Sequence, residues 1–338
     1  MKNRKFYITG GAGFIGRHFN NHLKDYQRIS IDLREQQLVN NQVLGDIRNI
    51  EEIRNSIADS NTILHLAASH YDFEKDYFKT NVEGTRNLLQ VATEKNIDHF
   101  VFYSSVAVYG VKNLPANEES QKMPENDYGR SKLEAEGIIK KWVDEKKGRK
   151  ALIIRPSVVF GSHNYGNIFN LMRNIDRGRN VQIGNKSVIK SIAFVENLID
   201  ATLYLMQNVD SDFEVFNYAD TPHLTNFEIS HNISDGLGRK GAIKIPYGLA
   251  IALGGVFDMI GGLLNKEMVI SVKRVQKFCT STHFEAEKVK KFGFKPAYTT
   301  KEGLKKTAVW FDENRDTWQH EYDNLKKLFK TNYGISIE

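Results

Sequence analysis

Hydrophobic residues in the first half of the chain follow two alternating patterns. Short β-branched and aromatic runs recur, and the stretches between them carry apolar residues at spacings of three and four. The first pattern is typical of buried strands and the second of amphipathic helices, so their alternation predicts strand–helix–strand units around a parallel sheet. The predicted strands are Phe6 to Thr9, Arg28 to Asp32, Thr62 to Leu66, Phe100 to Ser104 and Ala151 to Arg155. The clearest predicted helices are Phe14 to Leu23, Asp76 to Lys95 and Tyr128 to Lys146.

The pattern changes after Gly161, where loops rich in Asn and Gly give way to more helical spacing without a second glycine-rich turn. We therefore expect an α/β fold, with a doubly wound parallel sheet (a Rossmann fold) in residues 1–161. Residues 162–338 are expected to form mainly a smaller C-terminal α/β substrate-binding domain. A late strand at Glu214 to Tyr218 is expected to rejoin the main sheet as an edge strand.

The most apolar segment of the chain is Ile245 to Leu264. It approaches the ~20 residues that span a bilayer. However, it begins with Pro246, contains five glycines and carries Asp258. A helix pair with an apolar face in the substrate domain is the favoured interpretation, and membrane association is not expected. Whether the segment lines a substrate pocket or touches a membrane stays open.

Composition and charge narrow the class of protein. The single cysteine, Cys279, excludes an intramolecular disulfide and indicates a buried structural thiol in a reducing compartment. The net charge of +6 is spread along the chain without a basic block, which favours a small anionic ligand over nucleic acid. The residues before Phe6 leave no room for the apolar region of a signal peptide, so we expect a cytoplasmic protein. Clustered His, Cys or carboxylates at zinc spacing are missing, and no metal is predicted.

A glycine-rich turn follows the first predicted strand, with glycines at Gly10, Gly13 and Gly16. Such glycines allow a tight turn, a close approach of the main chain to a pyrophosphate and close packing of helix on strand. The helix that opens at Phe14 and Ile15 would offer its amide groups to phosphates.

Asp32 ends the next strand, about 20 residues on, where a carboxylate accepts hydrogen bonds from the adenosine ribose. It would repel a 2′-phosphate, so the sequence predicts NAD rather than NADP. Arg34 keeps NADP open, because a nearby arginine can accommodate that phosphate.

Tyr128 and Lys132 lie one helical turn apart and share a helix face. An ammonium beside a phenol stabilises the phenolate, so we expect the pKa of Tyr128 to be lowered toward neutrality, as a general base requires. Ser105 follows the strand at Phe100 to Ser104, at the end of a parallel sheet where ligands bind, and its hydroxyl could bridge to the reacting oxygen.

With these motifs the chain resembles an extended short-chain dehydrogenase/reductase, the group of NAD-dependent nucleotide-sugar epimerases and dehydratases. Further matches appear in family order across residues 6–161. They are Asp46 and Ile47 at the adenine, His65 with Leu66, Ala67 and Ala68 along the cofactor, the Asn81 to Thr85 helix, and the turn from Arg155 and Pro156 to Gly161 beneath the nicotinamide.

The resemblance assigns a role to each site residue. It implies that Tyr128 is the acid/base, that Lys132 orients the nicotinamide ribose and tunes Tyr128, and that Ser105 holds the substrate hydroxyl. Ser104 is expected to be a cofactor or structural neighbour and His65 a packed residue. For Asn81, a hydrogen-bonding role in the core stays open beside cofactor binding. A homodimer through the helices Asp76 to Lys95 and Tyr128 to Lys146 is also implied.

Val106 and Ala107 narrow the range of reactions that the site could catalyse. Members resembling 4,6-dehydratases carry an Asp-Glu pair there, because eliminating water needs an extra acid and base. The stretch instead looks like that of 4-epimerases, which act on a nucleotide-diphosphate sugar through a transient 4-keto sugar. The expected substrate anchors are Asn167 or Asn170 for the nucleotide and Arg274 or Lys277 for its diphosphate.

Three alternatives stay open. Lys190 and Ser191 stand where many nucleotide-sugar members resemble Arg-Asp, so the identity of the substrate stays open. A nucleotide-sugar 4-keto reductase or dehydrogenase is one alternative, because the stereochemical outcome depends on rotation of the sugar, which the sequence does not report. A hydroxysteroid-type dehydrogenase needs an apolar pocket, for which the segment Ile245 to Leu264 is the only support. A non-catalytic nicotinamide-sensing protein would normally lack Tyr128 and Lys132.

Overall fold

The computed structural model describes residues 4–35, 41–57, 61–70, 76–112, 114–184, 188–239, 241–264 and 271–333. Its first half contains the strands β1 (Lys5–Thr9), β2 (Gln27–Asp32), β3 (Gln42–Leu44), β4 (Thr62–His65), β5 (His99–Tyr103) and β6 (Lys150–Pro156), and the helices α1 (Phe14–His22), α2 (Ile50–Ser56), α3 (Gly84–Glu94) and α4 (Asp127–Asp144). The second half contains β7 (Val158–Phe160), α5 (Asn167–Asp176), β8 (Val181–Ile183), β9 (Ile189–Lys190), β10 (Ile192–Phe194), α6 (Val195–Asn208), β11 (Phe213–Tyr218), β12 (Leu224–Thr225), α7 (Asn226–Gly236), β13 (Ile243–Ile245), α8 (Tyr247–Leu264), α9 (Val272–Phe278), α10 (Glu287–Lys291), α11 (Thr300–Glu313) and α12 (Arg315–Tyr333).

Seven parallel strands form the main sheet in the order β11-β6-β5-β4-β1-β2-β3. The chain moves outward from β1 to β3, returns to β4 and then moves outward the other way. The order therefore reverses between β1 and β4, where Thr9 pairs with His65. Ligands of open α/β sheets bind at such a switch point, outside the carboxyl ends of the strands. The Rossmann fold expected from the sequence is confirmed.

The strands of the sheet are apolar because helices cover both faces. One buried cluster joins Tyr7, Ile63, Phe100 and Ile153 of the sheet to the helices α3 and α4. Trp142 closes this cluster from α4, with its ring centroid 6.0 Å from that of Phe100. This packing fixes α4, the helix that carries Tyr128 and Lys132, against the sheet.

The chain divides into two compact units, and neither is a single run of residues. The first comprises Met1–Val159, Val195–Ala219 and Phe284–Ala297, and the second Phe160–Phe194, Asp220–His283 and Tyr298–Glu338. The strand expected at Glu214 to Tyr218 is β11, and it pairs in parallel with β6. The expected return of this strand to the main sheet is therefore present, whereas the boundary expected at 161 leaves out α6 and residues 284–297, which also belong to the first unit.

Two predicted elements differ in detail from the structure. The strand predicted over Thr62 to Leu66 is β4, and it ends at His65, one residue earlier than predicted. The helix predicted over Asp76 to Lys95 contains a widened π-helical turn at Lys79–Glu83 before α3 begins. There the Thr85 hydroxyl donates to the carbonyl oxygen of Asn81 at 2.7 Å.

The second unit contains α8, which covers most of the apolar segment. One helix begins after Pro246, instead of a helix pair within the segment, and it packs against α9. No helix in the described part of the chain is long and apolar enough to cross a membrane. Cys279, which directly follows α9, is only half-buried, so the buried thiol expected from the sequence is wrong.

Candidate active site

The glycine turn lies between β1 and α1 as the sequence predicted. Gly10 has a φ of +71°, a conformation that favours glycine, and a Cβ there would lie 2.7 Å from the backbone nitrogen of Ala67. A Cβ on Gly16 would lie 2.2 Å from the carbonyl oxygen of Gly10. Gly13 precedes α1 without a side-chain cap, so the amides of Phe14 and Ile15 begin the helix uncapped by a side chain. The glycine turn and the uncapped start of α1 together fit a dinucleotide pyrophosphate.

The residues after β4 run beside the turn. The Leu66 amide donates to the Thr9 carbonyl at 3.1 Å, and the Ala67 amide donates to the Thr9 hydroxyl at 3.2 Å. Leu66, Ala67 and Ala68 are half-buried, whereas His65 before them is completely buried. The three residues therefore border the switch point.

His65 is packed inside the sheet, as expected. Its ring nitrogens are hydrogen-bonded to the hydroxyls of Thr9 and Thr85, at 2.7 and 2.9 Å. Burial lowers the pKa of His65 well below its ordinary value, and the nearby charge of Lys132 lowers it further. The imidazole is therefore neutral.

Asp32 is oriented by two backbone amides. Its carboxylate accepts from Ala12 of the glycine turn at 3.0 Å and from Arg34 at 3.1 Å. Because each carboxylate oxygen can accept about two hydrogen bonds, acceptor capacity is left for a ribose hydroxyl. The Arg34 Nε lies 4.0 Å from Asp32. Arg34 thus lies beside Asp32, where both the NAD and the NADP interpretations place it.

Asp46 and Ile47 follow β3. The Arg48 guanidinium donates to both oxygens of Asp46 at 3.0 and 2.7 Å. Burial alone would raise the pKa of Asp46, but the hydrogen bonds from Arg48 outweigh it and the pKa is lowered. Ile47 is buried, and its side chain would lie 2.7 Å from a Cβ on Gly84 of α3. An anionic Asp46 is therefore held at this edge of the sheet.

Ser105 lies beside Tyr128, and its hydroxyl lowers the pKa of the Tyr128 phenol. Ser105 caps a short 3₁₀ turn after β5, accepting from the Ala107 amide at 3.1 Å. Gly129 makes the approach of α4 possible, because a Cβ there would lie 2.6 Å from the Ala107 carbonyl oxygen. The structure thus brings together two of the three predicted catalytic side chains.

Lys132 lies one turn further along α4 and is only 2% exposed. Its Nζ donates to the Tyr103 carbonyl at 2.7 Å and lies 4.6 Å from the centre of the Phe102 ring. Burial lowers the pKa of Lys132 to about 7, and Glu136 one turn later opposes that shift.

The prediction that the pKa of Tyr128 is lowered toward neutrality is wrong for the chain alone. Burial raises the pKa of Tyr128, and the hydrogen bond from Ser105 only partly lowers it. Sequence spacing places an ammonium one turn away but does not report how much water the fold removes from the phenol, and here that desolvation dominates.

Asn81 is buried in the π-helical turn and its side-chain amide is used by the protein. Its Oδ1 accepts from the Ser69 amide at 2.9 Å, and its Nδ2 donates to the Ser69 carbonyl at 3.0 Å and to the Ser131 hydroxyl at 2.9 Å. These contacts fix the loop after β4 to α4. The core role left open for Asn81 is present, and cofactor contact stays a prediction.

A buried ionic network beside the site was missed by sequence reasoning. Glu136 is paired with Arg155 and accepts from the Ser104 hydroxyl. Arg155 also donates to the Tyr109 hydroxyl at 2.6 Å. That hydroxyl in turn donates to the Asn217 side chain of β11 at 2.8 Å. The one available signal was the spacing of Glu136, four residues after Lys132.

The turn expected beneath the nicotinamide begins at Pro156, the last residue of β6. The next hydroxyl, that of Ser157, is buried and has no hydrogen-bond partner among the described residues. A buried unsatisfied hydroxyl at the carboxyl end of a central strand is consistent with a ligand group at this position.

The predicted substrate anchors belong to the second unit. Asn167 begins α5, and Asn170 lies within the same helix. Arg274 lies exposed on α9, where its amide donates to the Ser271 hydroxyl at 3.2 Å. The side chain of Lys277 lies outside the described residues. All four anchors stay predictions.

Comparisons with known proteins agree with this geometry. Residues 6–219 match the model of the NAD dependent epimerase/dehydratase family. The chain is 33% identical over 315 residues to N-acetyl-alpha-D-glucosaminyl-diphospho-ditrans,octacis-undecaprenol 4-epimerase of Escherichia coli O157:H7, covering 91% of this chain and 95% of that protein. It is 25% identical to UDP-glucose 4-epimerase of Vibrio cholerae, covering 91% and 95%.

The fold is also similar to that of a solved dehydratase. The dTDP-glucose 4,6-dehydratase of Bacillus anthracis in complex with NAD superposes with a TM-score of 0.73 at 22% identity, covering 94% of this chain and 99% of that one. The chain therefore belongs to the NAD-dependent epimerase/dehydratase family of extended short-chain dehydrogenases/reductases, and it is an enzyme with NAD as its cofactor.

Proposed function

We propose that this enzyme is a 4-epimerase of a diphosphate-linked sugar that acts through a transient 4-keto sugar. The observation that carries the proposal is the set of groups after β5. Ser105 lies beside Tyr128, whose pKa its hydroxyl lowers, and the next two positions are the apolar Val106 and Ala107. The site thus offers one proton-transferring phenol without the extra acid and base that dehydration requires.

Tyr128, Ser105 and Lys132 have separate roles in the proposed reaction. Tyr128 accepts the proton of the sugar 4-hydroxyl. It returns this proton to the same oxygen after the 4-keto sugar has rotated to present its opposite face. Ser105 holds that oxygen, and Lys132 supplies positive charge from the buried side of α4. When bound, NAD supplies the acceptor and donor of the hydride. Because the proton comes back, Tyr128 ends in its starting state and no second acid is needed.

The proposed substrate class is supported by the relative at 33% identity, whose name describes N-acetylglucosamine linked through a diphosphate to undecaprenol. We propose an N-acetylhexosamine on a diphosphate, carried by either a nucleoside or a polyprenol. The expected anchors Asn167 or Asn170 and Arg274 or Lys277 would hold the carrier and its diphosphate. The hydroxysteroid alternative loses support, since Leu253 and Val256 of α8 are exposed instead of lining an enclosed pocket.

The test is to denature the purified protein, identify the released nucleotides, and assay UDP-N-acetylglucosamine and its polyprenyl diphosphate counterpart without added cofactor. We expect bound NAD and interconversion of the 4-epimers. A requirement for added NAD(P)H, with net consumption, would overturn the proposal in favour of a reductase.

Tyr128→Phe is the matched variant. It should still release NAD on denaturation, while turnover falls by about a hundredfold or more, as loss of a general acid/base predicts. Tyr26→Phe, which removes a hydroxyl away from the site, should leave turnover unchanged. Full activity of Tyr128→Phe would contradict the mechanism.

A further inference from the structure

A short segment that ends in the π-helical turn at Lys79–Glu83 packs against α4. We call residues 76–83 the π segment. Tyr77 and Asn81 of this segment are four residues apart, which is close to one helical turn, so their side chains lie on the same side of it. Both side chains are buried, whereas Phe78 between them is 41% exposed. The face that carries Tyr77 and Asn81 is therefore the one that packs inward.

One contact of the π segment fixes the backbone at Tyr128. The Asn81 Nδ2 donates to the Ser131 hydroxyl at 2.9 Å, and that hydroxyl donates to the Tyr128 carbonyl at 2.9 Å. Asn81 and Ser131 are both completely buried, so water does not compete for these hydrogen bonds. The π segment is thus tied to the turn of α4 that carries the phenol.

A second contact of the π segment is made with the phenol ring itself. Tyr77 is buried, and its ring centroid lies 6.2 Å from that of Tyr128, with an angle of 60° between the ring planes. An edge-to-face pair at this separation is attractive and restricts the orientation of both rings. Tyr128 also lies beside Ser105. A ring that turned away from Tyr77 would therefore carry its hydroxyl away from Ser105.

We propose that Tyr77 is a positioning residue whose ring holds the Tyr128 phenol in its reactive orientation and keeps water from one side of it. The inference rests on the proposed function, because it assumes that Tyr128 transfers the proton. A sugar that rotates during the reaction needs a proton donor that stays fixed, since a misplacement of about 1 Å can cost about a hundredfold in rate. Tyr77 acts through Tyr128 and needs no contact with the sugar.

Steady-state kinetics of two variants test the role of the ring, with the substrate that the wild type epimerises. Tyr77→Ala removes the ring, so kcat should fall by about tenfold or more while KM stays nearly unchanged, because the phenol loses its orientation and the substrate contacts remain. Tyr77→Phe keeps the ring and should keep kcat within about twofold of the wild type. Tyr77→Leu tests the same loss of the ring should Tyr77→Ala fail to fold.

Nitration by tetranitromethane tests the cover of the phenol without any turnover. The reagent modifies phenols that solvent reaches, and mass spectrometry of peptides reports each tyrosine separately. Tyr128 should be nitrated severalfold faster in Tyr77→Ala than in the wild type, and at the wild-type rate in Tyr77→Phe.

Tyr204→Ala is the matched control. It breaks the aromatic pair of Tyr204 with Phe294, whose centroids are 5.7 Å apart and of which neither ring belongs to α4 or the π segment. We expect this variant to lose stability but to keep the kcat and the Tyr128 nitration rate of the wild type. Assays well below the unfolding temperature of each variant separate stability from rate.

The proposal is overturned by an unchanged kcat or an unchanged Tyr128 nitration rate in Tyr77→Ala. An equal loss of kcat in Tyr77→Phe, or an effect on KM alone, would overturn it as well, because the ring would then not be the group that acts. Faster nitration of Tyr128 in Tyr77→Ala together with full activity of Tyr128→Phe would instead overturn the proposed function.

Discussion

The Lys132 ammonium is almost fully buried, with one backbone carbonyl and one aromatic face as its contacts. Its pKa of about 7 lies below the ordinary value of 10.5, so the buried charge costs folding free energy at low pH. That cost is complete below about pH 7 and decreases as the pH rises toward 10.5. The site therefore holds a lysine whose charge changes in the neutral range.

Glu136→Gln should shift the pH profile of the enzyme. Removing the carboxylate that favours the charged form lowers the pKa of Lys132 further, so the alkaline limb of kcat/KM should move to lower pH. Activity above neutral pH should fall by about tenfold for each unit by which that limb moves. The profile of kcat/KM against pH measures the effect.

Glu134→Gln is the control for this variant, because Glu134 is exposed on the same helix. The loss of the Arg155 partner will also destabilise Glu136→Gln, by roughly 3 kcal/mol. Thermal unfolding reports that loss separately. A destabilised Glu136→Gln with an unshifted pH profile would show that Glu136 is only structural.

The sequence predicted where the candidate site residues lie better than it predicted their surroundings. Ser105 and Tyr128 are recognisable because strand ends and helical spacing constrain where such groups lie. Glu136 and Arg155 are 19 residues apart and meet only after β6 is laid beside α4. Contacts of that kind, and the desolvation that raises the pKa of Tyr128, depend on tertiary packing.

At the scale of elements, the first turn of α4 depends on Gly129. Gly129→Ala would place a methyl group 2.6 Å from the Ala107 carbonyl, which can yield only if α4 moves. We expect a loss of stability of roughly 1–3 kcal/mol. A larger loss in kcat than in substrate binding should accompany it, because Tyr128 would leave Ser105.

Gly137→Ala on the same helix provides the comparison, because a Cβ there meets nothing within 4 Å. It should stabilise the protein by up to about 1 kcal/mol through helix propensity alone. Thermal denaturation and steady-state kinetics of both variants measure these effects. Equal stability and equal kinetics of the two variants would contradict the close approach of α4 to the Ala107 carbonyl.

Periodicity located six of the seven strands of the main sheet and the helices α1, α3 and α4 to within a few residues, because burial on both faces makes each strand a continuous apolar run, but it did not locate β3, α2, α6 or α10. It did not locate the π-helical turn at Lys79–Glu83. That turn depends on hydrogen bonds of Asn81 to Ser69 and Ser131, which are 12 and 50 residues away.

At the scale of the whole molecule, we predict a homodimer through the helix of residues 76–95 and the helix of residues 128–146. The outer surfaces of α3 and α4 carry charged residues such as Arg86, Glu134 and Lys140, so the contact would be largely polar. Sedimentation should give twice the chain mass of 38.7 kDa. A monomeric mass at assay concentrations would refute the prediction.

The division of the chain was the least predictable feature. The sequence predicted β11 and its return to the main sheet, but it predicted neither α6 nor the return of residues 284–297 to the first unit. Their place is decided by contacts across the chain, such as the parallel pairing of β11 with β6 over Phe213 and Ala151.

The position of β11 has a consequence for biosynthesis. The hydroxyl of Tyr109 reaches Asn217, so the network that ends at Glu136 is completed only by residues made more than 100 positions later. A ribosome must therefore release the first segment of the second unit, Phe160–Phe194, while the β6 edge is still unpaired and open to wrong partners. Emergence of β11 would end that exposure, because β11 then pairs with the β6 edge and supplies Asn217 to the buried network.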